Sequence, residues 1–282
     1  MSEITFIGMG LMGAGLAKMA QGARKTITVW NRSPEKMQPL IQDGANGTAR
    51  LLDAISASPV VLVCVDNYSV TRQIFQQDEA LDALHGKILV QMSTGTPKEA
   101  EESEQWFTEH GVKYIDGAVL AGPDTLNSEH GRVIFAGPED CYRVAEPVLQ
   151  SLATNARYVG EKIRSASSLD LAWLCRDYGM FVGVSHGAAL CSAEGVSLDL
   201  YADVFSASDH AHDYVMAIHL DDLKQPTATL RTWGEAFNQI KKHAHDAEID
   251  SGFPDFVSGL FDRAIKAGYG DLDVAALAKV LK

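Results

Sequence analysis

From Ile163 to Gly195 the chain reads IRSASSLDLAWLCRDYGMFVGVSHGAALCSAEG, and between Ser165 and Ala193 its only formal charges are Asp170, Arg176 and Asp177. As one helix these roughly 33 residues would run about 50 Å, against the ~30 Å diameter of a small domain. A helix apolar on most sides requires burial on most sides. One domain cannot supply that cover, so the segment predicts an element shared between two bodies of protein. At 282 residues the chain is long enough for two cores. Gly179, Gly183 and Gly187 recur at four-residue spacing and predict a small-residue ridge that a second helix backbone can approach. Asp170, set between Leu169 and Leu171, is the acid in this segment that most needs a reason.

Ahead of the helix the pattern is α/β. Ile4–Ile7 is a short β-rich run leading into Gly8-Met9-Gly10-Leu11-Met12-Gly13 and then an Ala- and Leu-rich helix ending near Gly22. Strand, G-x-G-x-x-G and helix in this order form a dinucleotide fingerprint. Gly8 supplies the tight turn, Gly10 lets backbone approach a pyrophosphate, and Gly13 lets helix and strand pack closely. The anion then sits on the helix N-terminus beside Leu11 and Met12. About 20 residues on, where an NAD site places an acid for the ribose 2′-hydroxyl, the chain has Asn31-Arg32-Ser33. The planar fork of Arg32 suits a 2′-phosphate, with Asn31 and Ser33 as hydrogen-bond donors and Lys36 beside them, so the predicted cofactor is NADP(H).

A helix is expected from about Pro34 to Asp43, and another after Thr48. Val60–Val65 is a continuous apolar run that suits an internal parallel strand. Its end, Cys64-Val65-Asp66, lies on the edge where doubly wound sheets bind ligands. Lys87–Gln91 is the next strand, with Ser93 and Thr94 just past its end as either turn residues or nicotinamide and substrate contacts. Thr96-Pro97-Lys98-Glu99 reads as a capping box. Strands are expected at Lys113–Gly117, Arg132–Ala136 and Arg157–Val159. Helices follow at Leu198–Phe205, Asp209–His219, Ala228–Ala247, Asp255–Ala267 and Asp271–Leu281. The organisation expected is a Rossmann-type dinucleotide-binding domain over 1–162, an interdomain helix over 163–195 and an all-α domain over 196–282.

A net charge of −13 argues against nucleic acid or an anionic membrane as partner. No signal peptide is expected ahead of Ile4, and no uncharged stretch of the long helix reaches the ~20 residues that span a bilayer. The expectation is a cytoplasmic protein. Cys64, Cys141, Cys175 and Cys191 lack CxxC spacing and read as buried thiols. His210, His212 and Asp213, like His243, His245 and Asp246, lack the i, i+3 or i, i+4 spacing of helical metal ligands, so no metal site is predicted.

Taken jointly, FIGMGLMGAGLA, VWNRSPEK, VVLVCV, QMSTGTPKEA, YIDGAVLAGP, HGAALCSAEGV and AIKAGYGDLDVAAL resemble the β-hydroxyacid dehydrogenase superfamily, and more closely its imine reductase and reductive aminase branch. The resemblance covers nearly the whole chain. In the hydroxyacid branch the long helix carries a catalytic Lys with an Asn four residues later, and a Ser-Gly-Gly loop holds the substrate carboxylate. Here Asp170, Leu174 and Leu120-Ala121-Gly122 stand at those places. Imine reductases look like this, and Tyr178 matches a tyrosine that reductive aminases use near the substrate. Ala211 and His212 occupy the neighbourhood where reductive aminases carry a tryptophan, which sets amine–ketone condensation apart from imine reduction. The resemblance implies Asp170 and Tyr178 as catalytic residues and a pocket of Ser93, Thr94, Leu120, Leu174 and His212. It also implies a reciprocal, domain-swapped-like homodimer.

The charge at 170 carries the chemical argument. Hydride addition to a ketone builds negative charge on oxygen, which a Lys can neutralise. Hydride addition to an iminium discharges a cation. A carboxylate 4 Å from that cation attracts it by about 4 kcal/mol at an effective dielectric near 20. Burial between leucines raises the carboxyl pKa, so Asp170 could equally protonate an imine. The expected activity is NADPH-dependent reduction of an imine or iminium. The alternatives are a carbonyl reductase of the hydroxyacid or semialdehyde type, and an NADPH-binding sensor without turnover.

Overall fold

The computed structural model of the protein describes residues 1–76, 78–206 and 209–281. The chain forms two compact units, Met1–Asp170 and Leu171–Lys282.

The first unit is built on β1 (Ile4–Ile7), β2 (Ile27–Trp30), β3 (Asn46–Gly47), β4 (Val60–Val63), β5 (Ile88–Gln91), β6 (Lys113–Val119), β7 (Arg132–Ala136) and β8 (Asn155–Tyr158). They form one sheet in the order β3-β2-β1-β4-β5-β6-β7-β8. Every pair is parallel except β6 with β7. The first six strands carry the 3-2-1-4-5-6 order of a doubly wound dinucleotide fold. Alternation sorts their side chains by face. Ile4, Phe6, Val60, Leu62, Ile88 and Val90 enter one core. Ile7, Val61, Val63, Leu89 and Tyr114 enter the other.

The connecting helices are α1 (Leu11–Gly22), α2 (Gln38–Gln42), α3 (Leu51–Ser56), α4 (Tyr68–Phe75), α5 (Asp78–Leu84), α6 (Pro97–Glu109) and α7 (Glu139–Leu149). The predicted capping box is present: Thr96 Oγ1 accepts from the Glu99 amide at 3.2 Å and Glu99 Oε2 accepts from the Thr96 amide at 2.9 Å. The helix expected from Pro34 to Asp43 is instead a 3₁₀ turn over Pro34–Met37 followed by the short α2, because Pro39 enters in mid-segment and cannot donate to the ladder. Nothing in the sequence marks strand β3. Two residues are too few to show any alternation.

The long helix, α8, spans Arg164–Ala193, about 45 Å. It ends where the sequence says it should. Gly195 adopts φ +72°, the Gly195 amide donates to the Ser192 carbonyl, and the Val196 amide donates to the Cys191 carbonyl. This is the glycine-terminated reverse turn that satisfies the last carbonyls of a helix.

The second unit holds the rest of α8 with α9 (Leu198–Ala202), α10 (His210–Leu220), α11 (Leu230–Asp246) and α12 (Gly252–Ala264). The closing segment expected as a helix over Asp271–Leu281 is 3₁₀ over Val274–Val280. Its core is aromatic: the ring of Tyr178 meets Phe181, Trp233, Phe237 and Phe261 edge to face at 4.4–6.1 Å between centroids. Burial on α8 is less complete than its apolar sequence predicts. Ala172, Arg176, Gly179, Gly183, His186 and Leu190 form an exposed stripe at three- and four-residue spacing. Of the three glycines, Gly187 receives the Tyr201 hydroxyl, which would lie 2.1 Å from an added Cβ, whereas nothing lies within 4 Å of one at Gly179 or Gly183. No helix among the described residues is long and apolar enough to cross a membrane.

Candidate active site

The glycine loop lies where β1 hands over to α1. Gly8 has φ +96°, and a Cβ there would sit 2.2 Å from the carbonyl oxygen of Cys64, so turn and strand β4 meet backbone to backbone. A Cβ on Gly13 would lie 2.1 Å from the carbonyl oxygen of Gly8. Gly10 is the N-cap of α1 and gives the helix no side-chain cap; its first turn carries no acid, and nothing lies within 4 Å of a Cβ at Gly10. The amides of Leu11, Met12 and Gly13 are therefore left without a side-chain cap at the positive end of a helix dipole. That is the donor set a pyrophosphate requires.

The end of β2 supplies the second feature. Arg32 and Lys36 are exposed, and neither forms an ion pair among the described residues. Asn31 faces inward: its Oδ1 accepts from the Met9 amide at 2.8 Å and its Nδ2 donates to the Ser33 carbonyl at 3.0 Å. Asn31 thus braces the glycine loop and holds Arg32 and Ser33 at its rim. The Ser33 hydroxyl makes no cap hydrogen bond to the turn it starts. Two cations outside any ion pair among the described residues and a hydroxyl, with Asn31 rather than an acid just past the end of β2, fit a 2′-phosphate.

Along the C-terminal edge, burial pushes the Cys64 thiol up to about 12, so it stays neutral. Ser93 is buried, and its Oγ accepts from the Val65 amide at 3.1 Å, clamping the ends of β4 and β5 together. Asp66 is exposed and Thr94 is half-buried. Leu120 packs with Ala118, Ile134 and Ala166, tying β6 and β7 to the first turn of α8.

Asp170 closes the first unit. It is 5% exposed, burial pushes its carboxyl up to about 7, and it forms no ion pair among the described residues. The two arginines of the same helix are paired elsewhere, Arg164 with Glu101 and Arg176 with Asp177. Beside Asp170 lies a group of residues the sequence did not single out. Asp116 on β6 is fully buried and accepts a hydrogen bond at Oδ1 from the Tyr68 hydroxyl, while its Oδ2 has no partner. Burial is the first cause pushing Asp116 up to about 8, and the charge of Asp170 adds to it. Tyr68 rests against Gly95, where a Cβ would lie 2.3 Å from its ring. An acid inside the apolar strand run YIDGAV was the signal that could have drawn attention to position 116.

In the second unit, Leu174 is buried in the aromatic core and His212 is half-buried with its Nδ1 3.3 Å from Asp213. Tyr178 is fully buried and its hydroxyl donates to the Trp233 carbonyl. Among the described residues no cluster of His, Cys, Asp or Glu could hold a metal ion.

Known proteins match this arrangement along its length. Residues 3–160 match the family model of the NAD binding domain of 6-phosphogluconate dehydrogenase, and residues 163–282 that of the C-terminal domain of NADPH-dependent reductive aminase-like proteins. An imine reductase from Myxococcus stipitatus, solved in complex with NADP+, is 31% identical over 99% of this chain and all of its own, with a TM-score of 0.71. The chain belongs to the imine reductase and reductive aminase family. An NADPH-dependent reductive aminase from Aspergillus oryzae is 27% identical, covering 99% of this chain and 97% of its own. A 3-hydroxyisobutyrate dehydrogenase from Salmonella typhimurium shares the fold of this family member at a TM-score of 0.87 and 19% identity, covering 99% and 100% of the two chains. The first unit is accordingly an NAD(P)-binding domain, as its glycine loop and strand order require.

Proposed function

We propose that the protein is an NADPH-dependent imine reductase in which Asp170 is the acid. The observation that carries this reading is a buried carboxyl without a cationic partner, raised to about 7, at the end of the cofactor-binding unit. At neutral pH about half the molecules hold Asp170 protonated. That form gives its proton to the imine nitrogen and becomes a carboxylate beside an iminium, the ion pair that low dielectric favours. NADPH, when bound, supplies the hydride. Its addition to the iminium carbon discharges the cation and leaves a neutral amine, and Asp170 recovers its proton from water. Donor and electrostatic partner are thus two moments of one residue.

Within this reading the Leu11, Met12 and Gly13 amides hold the pyrophosphate, and Arg32, Ser33 and Lys36 hold the 2′-phosphate. Cys64, Val65 and Asp66 border the cofactor, and Ser93, Thr94, Leu120, Leu174 and His212 contribute to substrate fit. Tyr178 takes a smaller share, because its hydroxyl is committed to the Trp233 carbonyl. The working form is a homodimer. The small and apolar members of the exposed stripe on α8, Ala172, Gly179, Gly183 and Leu190, together with exposed Leu200, Val204 and Leu220, support a surface for a second copy. A solution mass near one 30.5 kDa chain at micromolar concentration contradicts that part of the proposal. Steady-state assays with 2-methyl-1-pyrroline against glyoxylate and succinic semialdehyde test the activity. Turnover confined to the carbonyls defeats it, and no NADPH consumption with any of them favours a sensor.

A further inference from the structure

Asp170 does not stand alone in its unit. In the first turns of α8, Ala166, Ser167 and Asp170 are all buried, at three- and four-residue spacing, while Leu169 points outward at 46% exposure. The buried face of that turn packs on β6, where Ala118 meets Ala166. Asp116 is two residues before Ala118 on the same strand and so shares its face. It is paired in register with Gln91 of β5, whose side chain is engaged by Thr71. Asp116 therefore looks toward the Ser167 and Asp170 face of α8 with one oxygen held by Tyr68 and the other without a partner.

We infer that Asp116 is a positioning residue for the proton on Asp170: the two buried carboxyls titrate as one coupled acid, braced from behind by Tyr68. Two like charges this deeply buried cannot both form cheaply, so ionising one makes the other keep its proton. No cation among the surrounding groups offsets a second charge. Tyr68 from α4 and Tyr114 from β6 are phenols pushed well above their usual range by burial, so both stay neutral. Glu104 on α6 faces Tyr114. Ser167 on α8 favours the charged form of Asp116 without making a good hydrogen bond to Oδ2. Neither carboxyl is paired with a Lys or Arg among the described residues. Oδ2, fully buried and unpartnered, is the natural seat for a proton.

The coupling fixes the direction of every shift. While Asp116 can ionise, its charge holds the proton on Asp170 to higher pH. Asp116→Asn keeps an acceptor for Tyr68 but is permanently neutral, so the Asp170 midpoint should fall by roughly half a pH unit or more. Asp170→Asn should likewise lower the Asp116 midpoint, because the charge of Asp170 adds to its upward shift. Tyr68→Phe removes the donor that favours the Asp116 carboxylate. Asp116 then holds its proton to higher pH and Asp170 loses its own at lower pH, two opposite movements from one substitution.

The inference rests on the acid role proposed for Asp170, but its test does not need turnover. The full chain without cofactor is labelled with ¹³Cγ-aspartate and titrated by NMR, and the two resonances are assigned by their loss in the two Asn variants. The expected result is a pair of carboxyls titrating far above ordinary aspartate, with the reciprocal shifts described. An Asp170 midpoint unmoved in Asp116→Asn overturns the coupling. If that variant does not fold, Tyr68→Phe decides, and a failure of the two midpoints to move in opposite directions overturns it. An inactive imine assay with these shifts intact would instead count against the proposed reaction alone.

Discussion

Replacing Asp170 by Asn should make the protein a worse catalyst and a more stable one, and the second effect should depend on pH. The carboxyl titrates at 3.8 in the ordinary case and at about 7 in the fold. A group raised on folding gives its full contribution below the lower value and loses it as pH rises to the higher one. Between pH 5 and pH 7 wild type therefore loses up to about 1.4 kcal/mol per pH unit at this residue, which Asn does not. The advantage of Asp170→Asn in unfolding free energy should grow by about 2 kcal/mol over that interval and level off near pH 8. Asp116 is present in both proteins and, raised to about 8, stays largely protonated over this interval, so most of the difference belongs to Asp170. Turnover of 2-methyl-1-pyrroline should fall by one to three orders of magnitude, about 1.4–4 kcal/mol of barrier, with NADPH affinity unchanged. The assay is guanidinium unfolding at pH 5, 6, 7 and 8, beside steady-state kinetics on the same preparations. A stability gap that stays constant across this range refutes the claim that Asp170 is buried with a raised pKa. Unchanged turnover makes Asp170 structural.

Other expectations follow from the same geometry. Arg32→Ala should erode the preference for NADPH over NADH by about tenfold or more, as a charge-assisted contact to phosphate is lost; equal use of both cofactors by wild type already contradicts it. Tyr178→Phe should reduce kcat by less than about tenfold while costing about 1 kcal/mol of stability, since its hydroxyl serves the Trp233 carbonyl; a loss matching that of Asp170→Asn would place Tyr178 in proton transfer.

The parts of this molecule that were readable from sequence are those set by short-range rules. Gly8, Gly10 and Gly13 announce a turn, an approach and a packing contact within six residues, and Gly195 announces the end of α8. Arg32 is readable because it stands where an acid is otherwise needed, and Asp170 because a charge among leucines is conspicuous. What escaped depends on the sheet. Tyr68 and Asp116 lie 48 residues apart and meet only because β4, β5 and β6 are neighbours in the strand order. The contact of Asn31 with the Met9 backbone, 22 residues away, is likewise set by the pairing of β1 with β2 and not by any local pattern. The antiparallel turn from β6 to β7 follows no local pattern, and the exposed stripe on α8 appears only once the chain's own packing is known. Asp170 is conspicuous from local chemistry alone, whereas the Tyr68–Asp116 pair exists only through the strand order.

The central claim is that the charge at position 170 selects the substrate. Its most direct test is the ratio of kcat/KM for 2-methyl-1-pyrroline to that for succinic semialdehyde, measured with NADPH at pH 7 in wild type and in Asp170→Asn. The account predicts a ratio well above one in wild type that collapses by about tenfold or more in the variant, because the acid helps the imine and opposes an alkoxide. A ratio unchanged by the substitution would contradict it.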